Sequence, residues 1–109
     1  MKGKIVLVPF PFTDLTAAKL RPALVLFEGE RDVVVAFISS RLPERASPGD
    51  VIVSDEHQAF QLTGLKTSSV IRLDKVATVL KDLVVGEIGE VGDVLKREIN
   101  RKLLDIYSL

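Results

Sequence analysis

Cysteine and tryptophan are absent from this 109-residue chain, and there is a single histidine, His57. Without cysteine there is no disulfide, no thiolate nucleophile and no Cys-ligated zinc. One histidine excludes a two-histidine acid/base pair and a His-rich metal site on one chain. No charge sign dominates: fifteen Lys and Arg balance fifteen Asp and Glu. Bulk charge therefore does not announce a nucleic-acid binder. No apolar run approaches the ~18 residues of a membrane span. The N-terminal stretch MKGKIVLVPFPF is broken by Pro9 and Pro11 and has no small-residue cleavage site. It reads as a first strand, not a signal peptide. The expectation is one soluble, cytoplasmic domain over residues 1–109, with no membrane partner, metal or cofactor.

What is present is apolar material, 47% of residues, enough for one modest core. A chain of this length buries only somewhat over about 60% of its unfolded surface, so a monomer is of marginal stability. Short runs rich in Val and Ile mark strands at residues 4–8, 22–27, 33–39 and 50–53. Residues 33–39 are almost continuously apolar, the pattern of a strand buried on both faces. Residues 10–20 lack periodicity and read as a loop, with Pro22 opening the second strand. Residues 28–32, with four charges and Gly29, read as a hairpin turn. Residues 54–64 are ambiguous, with Ser54 able to cap a helical turn and Gly64 able to end it. Residues 69–73 and 76–80 read as two strands meeting at Asp74 and Lys75, and 84–88 as one more. The period then changes. Val91, Val94, Leu95, Ile99, Leu103 and Ile106 recur every three or four residues, predicting an amphipathic helix over about 93–107. Its basic residues Lys96, Arg97, Arg101 and Lys102 read as a solvent face. The sum is a small curled β-sheet with a covering helix.

Four blocks carry a resemblance. KGKIVLVPFPFTDLTAAKLRPALVLF, VVVAFISSR, LTGLKTSSVIRLDKVATV and EIGEVGDVLKREINRKLL follow one another in order. Together they resemble the PemK/MazF-type toxins of toxin–antitoxin systems across nearly the whole chain. The resemblance implies an α+β fold: a small SH3-like β-barrel, shared with the CcdB gyrase poison, with a C-terminal amphipathic helix. It implies a homodimer that cleaves single-stranded RNA without a metal and is neutralised by a cognate antitoxin whose disordered tail covers the active site. Residue by residue, Arg21 matches the catalytic arginine before Pro-Ala-Leu-Val, and Ser39 the catalytic Thr/Ser ending the third strand. Arg72 and Asp74 match an Arg-x-Asp pair of the plasmid-encoded branch. Lys4 stands where many members carry Asp, and Ala77 where many carry Arg.

Metal-free RNA cleavage needs an in-line 2′-oxygen, a proton acceptor, charge for the phosphorane and a proton for the leaving 5′-oxygen. The planar guanidinium of Arg21 suits the phosphorane. The hydroxyl of Ser39 can donate to a phosphate oxygen, and Ser40 competes with it, pointing to the opposite face by strand alternation. Asp74 is the best carboxylate for proton transfer, although the base is unassigned. Arg72 can bind phosphate or pair with Asp74. Phe10 and Phe12 can stack on unpaired bases or pack the loop onto the barrel. Lys19 and Ser40 complete the candidate RNA contacts. His57 matches no catalytic position and reads as part of a solvated loop. Two further readings share these residues: a CcdB-like gyrase poison, whose action needs a C-terminal tryptophan, and a catalytically inactive homologue serving as a dimeric binding module.

Overall fold

The structure is a computed structural model describing residues 1–10 and 19–109. Six strands form one antiparallel sheet: β1 (Lys4–Phe10), β2 (Lys19–Glu28), β3 (Asp32–Ser39), β4 (Asp50–Val53), β5 (Ser69–Leu80) and β6 (Gly86–Glu90). A single-turn helix, α1 (Phe60–Thr63), lies between β4 and β5, and α2 (Gly92–Tyr107) follows β6. The order across the sheet is β4-β5-β3-β2-β1-β6. The sheet curls into a half-barrel, and the mixed α+β class is the one expected.

Strand alternation divides the core in two. Val33 and Val35 of β3 pack with Val6, Val8 and Val25 on one face. Ala36 and Ile38 pack on the other with Ile5, Ile71 and the α2 residues Leu95 and Ile99. Both faces of β3 are therefore buried, which is why its sequence reads as one apolar run. Each fully buried aliphatic side chain contributes about 1.5–3 kcal/mol relative to exposure. Of the expected helix stripe, Val94 departs: it is exposed on α2.

Several boundaries differ from the sequence reading. Residues 69–73 and 76–80 are not two strands but one, β5, interrupted by a bulge. Ala36 pairs with Val76, while the next β3 residue, Phe37, pairs with Arg72. Leu73, Asp74 and Lys75 thus have no β3 partner. Leu73 turns into the core, its N–H donating to the Gly49 carbonyl at 2.8 Å and its carbonyl accepting the Tyr107 hydroxyl. A polar pair, Asp74-Lys75, resembles a turn in sequence; here it is the exposed part of a bulge. The last strand begins at Gly86 rather than residue 84, after a 3₁₀ turn, Lys81–Leu83.

The first two strands also reach further than their apolar runs, to Phe10 and back to Lys19. Pro22 therefore lies inside β2 rather than opening it. The β2–β3 ladder starts at Ala23, and the β1–β6 ladder ends at Leu7. Pro9 and Pro22 thus occupy positions with a ladder on one side only, where a missing N–H breaks no strand pairing.

Candidate active site

The antiparallel topology brings four strand termini to one end of the sheet. There β1 stops at Phe10, β2 starts at Lys19, β3 stops at Ser39 and β5 starts at Ser69. A cleft of about 790 Å³ crosses this end, and its walls include Phe10, Arg21, Ser39, Ser40, Arg41 and Lys66. Register explains the meeting of Arg21 and Ser39. Ala23 pairs with Phe37. Two residues further along each antiparallel strand, past the end of that ladder, stand Arg21 and Ser39, and both line the cleft. Arg21 is exposed and Ser39 half-buried.

Ser39 has a defined hydrogen-bond state. Its Oγ accepts the Arg41 backbone N–H at 3.1 Å. That contact occupies a lone pair and leaves the hydroxyl proton available to a phosphate oxygen. Ser40 lies one residue beyond β3, so strand alternation no longer governs it, and it lines the same cleft. Phe10 packs edge-to-face on Phe37, with ring centroids 5.3 Å apart, yet stays 45% exposed. It therefore both packs and presents a ring surface.

Arg41 and Lys66 were not singled out by sequence reasoning. Both sit in polar stretches beside a strand end, a weak signal shared by most loops. Gly64 places Lys66. It ends α1 with φ 72°, and a Cβ there would lie 2.0 Å from the Ile88 carbonyl oxygen. The chain turns tightly enough to bury Leu65 and expose Lys66 and Thr67 at the cleft. Among the described residues, the charged members of the lining are Arg21, Arg41 and Lys66, and no carboxylate is with them. A chain of zero net charge thus carries a locally cationic cleft, suited to a polyanion.

Other candidate residues are not in the lining. Lys19 is exposed at the start of β2, opposite Phe10. Phe12 lies outside the described residues. Arg72 is on the Phe37 side of β5, and Asp74 is exposed in the bulge. The carboxylate facing Arg72 is Asp50, at 3.8 Å from Nε, rather than Asp74. His57 accepts the Ala59 N–H through Nδ1 at 3.0 Å and belongs to a local turn. Among the described residues no three His, Cys, Asp or Glu side chains gather as a metal-ligand set. Lys4 forms a cross-strand cluster, 2.9 Å from Glu90 and 3.6 Å from Glu87. The Glu90 hydrogen bond, reinforced by both carboxylates, raises the Lys4 ammonium, while Lys4 lowers Glu90. Ala77 packs against the valine face of the core. Of the helix basics, Lys102 leaves the solvent face and donates to the Asp50 carbonyl.

A family model describing the PemK-like, MazF-like toxins of type II toxin–antitoxin systems matches residues 1–107. The chain belongs to this family. Solved PemK/MazF-type structures share its fold. The Mycobacterium tuberculosis toxin MazF-mt6 superposes with a TM-score of 0.75 at 20% identity, covering 97% of each chain. A mycobacterial endoribonuclease in complex with its cognate antitoxin gives 0.72 at 20% identity, covering 100% of this chain and 95% of that one. MazF from Deinococcus radiodurans gives 0.69 at 20% identity, covering 99% and 96%. No curated protein sequence matches. At these identities the structural likeness is one of fold, so the family rests on the sequence match.

Proposed function

We propose that this toxin-family chain is a metal-independent endoribonuclease that cuts single-stranded RNA in the cleft at the end of the sheet. The observation carrying this reading is that Arg21 and Ser39 both line that cleft, with Ser39 Oγ accepting the Arg41 N–H. The 2′-hydroxyl of the substrate loses its proton as its oxygen attacks the adjacent phosphorus, the bond from phosphorus to the 5′-oxygen breaks, and that oxygen takes up a proton. The products are a 2′,3′-cyclic phosphate and a 5′-hydroxyl. Arg21 meets the extra negative charge of the phosphorane with two parallel donors. A guanidinium has five N–H donors and no acceptor, which suits it to carry charge rather than accept a proton. Ser39 donates its free hydroxyl proton to a phosphate oxygen. Phe10 offers a ring to an unpaired base, with Phe12 and Lys19 in the adjoining segment. Ser40 contacts the strand beside Ser39.

Arg72 and Asp74 take secondary roles outside the cleft lining. Arg72 meets a phosphate further along the RNA. Asp74, the one acidic residue of β5, is the carboxylate the sequence offers for proton transfer, and it lies exposed in the bulge rather than at the cleft. The working unit is a cytoplasmic homodimer, and a cognate antitoxin is its inhibitor. Support for the antitoxin comes from the family and from the fold neighbour solved with one.

The test is incubation of purified protein with a long single-stranded RNA in EDTA, followed by end-mapping. Discrete cuts with 5′-hydroxyl ends are expected, because the chemistry needs no metal-activated water. Cuts carrying 5′-phosphates contradict the mechanism, and intact RNA contradicts the activity.

A further inference from the structure

Resting on the reading of this molecule as an RNA-cleaving toxin, we propose that Asp50 is the positioning residue for Arg72. It holds the Nε edge of the guanidinium so that the outer nitrogens face the RNA. The sequence offers Asp74 for that partnership, two residues away on the same strand. The fold assigns it to a different carboxylate.

Asp50 opens β4 directly opposite Arg72, and Arg72 is itself opposite Phe37 of β3. Paired residues share a face, so Asp50, Arg72 and Phe37 form one cross-strand row. The next row holds Ser39 and Val70. Arg72 is thus diagonal to Ser39 on the face that carries Arg21, one step along the sheet from the cleft.

Burial sets the roles of the two partners. The Asp50 side chain is 3% exposed, and that of Arg72 is 41% exposed. A buried carboxylate is costly unless a charge or hydrogen bonds compensate it. One oxygen is accounted for: Oδ2 accepts the Ser47 N–H at 2.9 Å, while the Asp50 N–H returns to the Ser47 carbonyl at 2.9 Å. The other, Oδ1, is buried without a hydrogen bond and faces Arg72 Nε, also buried and unbonded, at 3.8 Å. The inner edge of the guanidinium therefore points at a fixed anion, and the outer part of the side chain reaches solvent.

The carboxylate is the fixed member of this pair. The Ser47–Asp50 turn holds its backbone N–H, and Lys102 of α2 donates to its carbonyl. Arginine has a long stem with many rotamers, so an anchored anion at its root removes much of that freedom before substrate arrives. A turn alone does not require the charge, since Asn in place of Asp50 offers the same acceptor to the Ser47 N–H.

The experiment is a double-mutant cycle on single-turnover RNA cleavage, using Asp50→Asn, Arg72→Ala and the double variant, with melting temperatures in parallel. Asp50→Asn is expected to slow cleavage by about tenfold, a misplaced-contact effect, and to cost nothing further once Arg72 is gone. Exchange of the Arg72 Nε–H with solvent, followed by nitrogen-15 NMR without RNA, is expected to accelerate in Asp50→Asn. Asp50→Ser, which keeps an oxygen for the turn, serves if Asp50→Asn unfolds, and the same two results are expected of it. Equal losses with and without Arg72 overturn the proposal and make Asp50 a structural residue. Faster cleavage by Asp50→Asn also overturns it, since the carboxylate would then compete with the phosphate. If the wild-type protein cuts no RNA, the enzymatic reading fails, and the Nε–H exchange still decides whether Asp50 holds Arg72.

Discussion

At the scale of single residues, the ionic groups of this chain divide into those that bind strands together and those left for a ligand. Lys4 belongs to the first class. Opposite Glu90 in the β1–β6 register, it ties β6 to the sheet. Its effect on stability has a defined pH dependence. Glu90 is lowered from an ordinary 4.5, so its contribution is present above that value and lost as the pH falls below it. Lys4 is raised from 10.5, so its contribution holds below 10.5 and is lost as the pH rises beyond it. The stability difference between wild type and Lys4→Met should therefore be flat near neutrality and shrink at both ends, as read from urea midpoints across pH. The pair is only half-buried, so the difference should be small and should fall with added salt. A difference that grows on acidification contradicts this assignment. Arg21, Arg41 and Lys66 are of the other kind. They line the cleft, with no carboxylate beside them among the described residues.

At the scale of elements, two glycines set the approach of α1 to β6, and with it one wall of the cleft. A Cβ on Gly89 would lie 2.3 Å from the Thr63 carbonyl carbon and oxygen, and one on Gly64 would meet Ile88. These are backbone atoms with no rotamer to yield. Gly89→Ala should lower the melting temperature by roughly 5 °C or more, an overpacking cost. Calorimetry checks this, and an unchanged transition means the contact is loose. Which elements were legible in the sequence follows the same physics. Residues 33–39 and the helix around Leu95 and Ile99 were plain, because periodicity reports burial directly. Gly64 was readable as a helix end. The β5 bulge was not, because Asp74-Lys75 carries a turn's composition while the hydrogen bonds holding Leu73 come from Gly49 and Tyr107, distant in sequence. The Asp50–Arg72 row was hidden for the same reason: pairing of β4 with β5 spans some twenty residues and leaves no local mark. Arg21 and Ser39 stand out only through family resemblance, since an arginine before proline and a serine ending a strand are common features.

At the scale of the whole molecule, small size and family membership point to association. The Cα radius of gyration is 13.2 Å, that of a compact chain of this length. Such a chain leaves large apolar side chains outside, among them Phe27, Leu80 and Val85, each more than half exposed. A two-fold dimer would cover apolar surface and duplicate every cationic residue of the cleft. Light scattering at micromolar concentration should report twice the 12.0 kDa chain mass. A monomer across that range contradicts the dimer.

In the proposed reaction Arg21 stabilises the phosphorane of RNA cleavage in this cleft. Single-turnover cleavage of a labelled single-stranded RNA by wild type and Arg21→Ala tests it most directly. An interaction made mainly in the transition state affects rate more than binding. Arg21→Ala should cut the rate by about 10²-fold or more, near 3 kcal/mol, with a much smaller loss of RNA affinity. Arg21→Lys should recover only part, keeping charge but not the two-pronged geometry. Ser39→Ala should cost less, a neutral donor being weaker than a charged one. Near-normal cleavage by a folded Arg21→Ala protein would contradict the claim and remove Arg21 from the reaction.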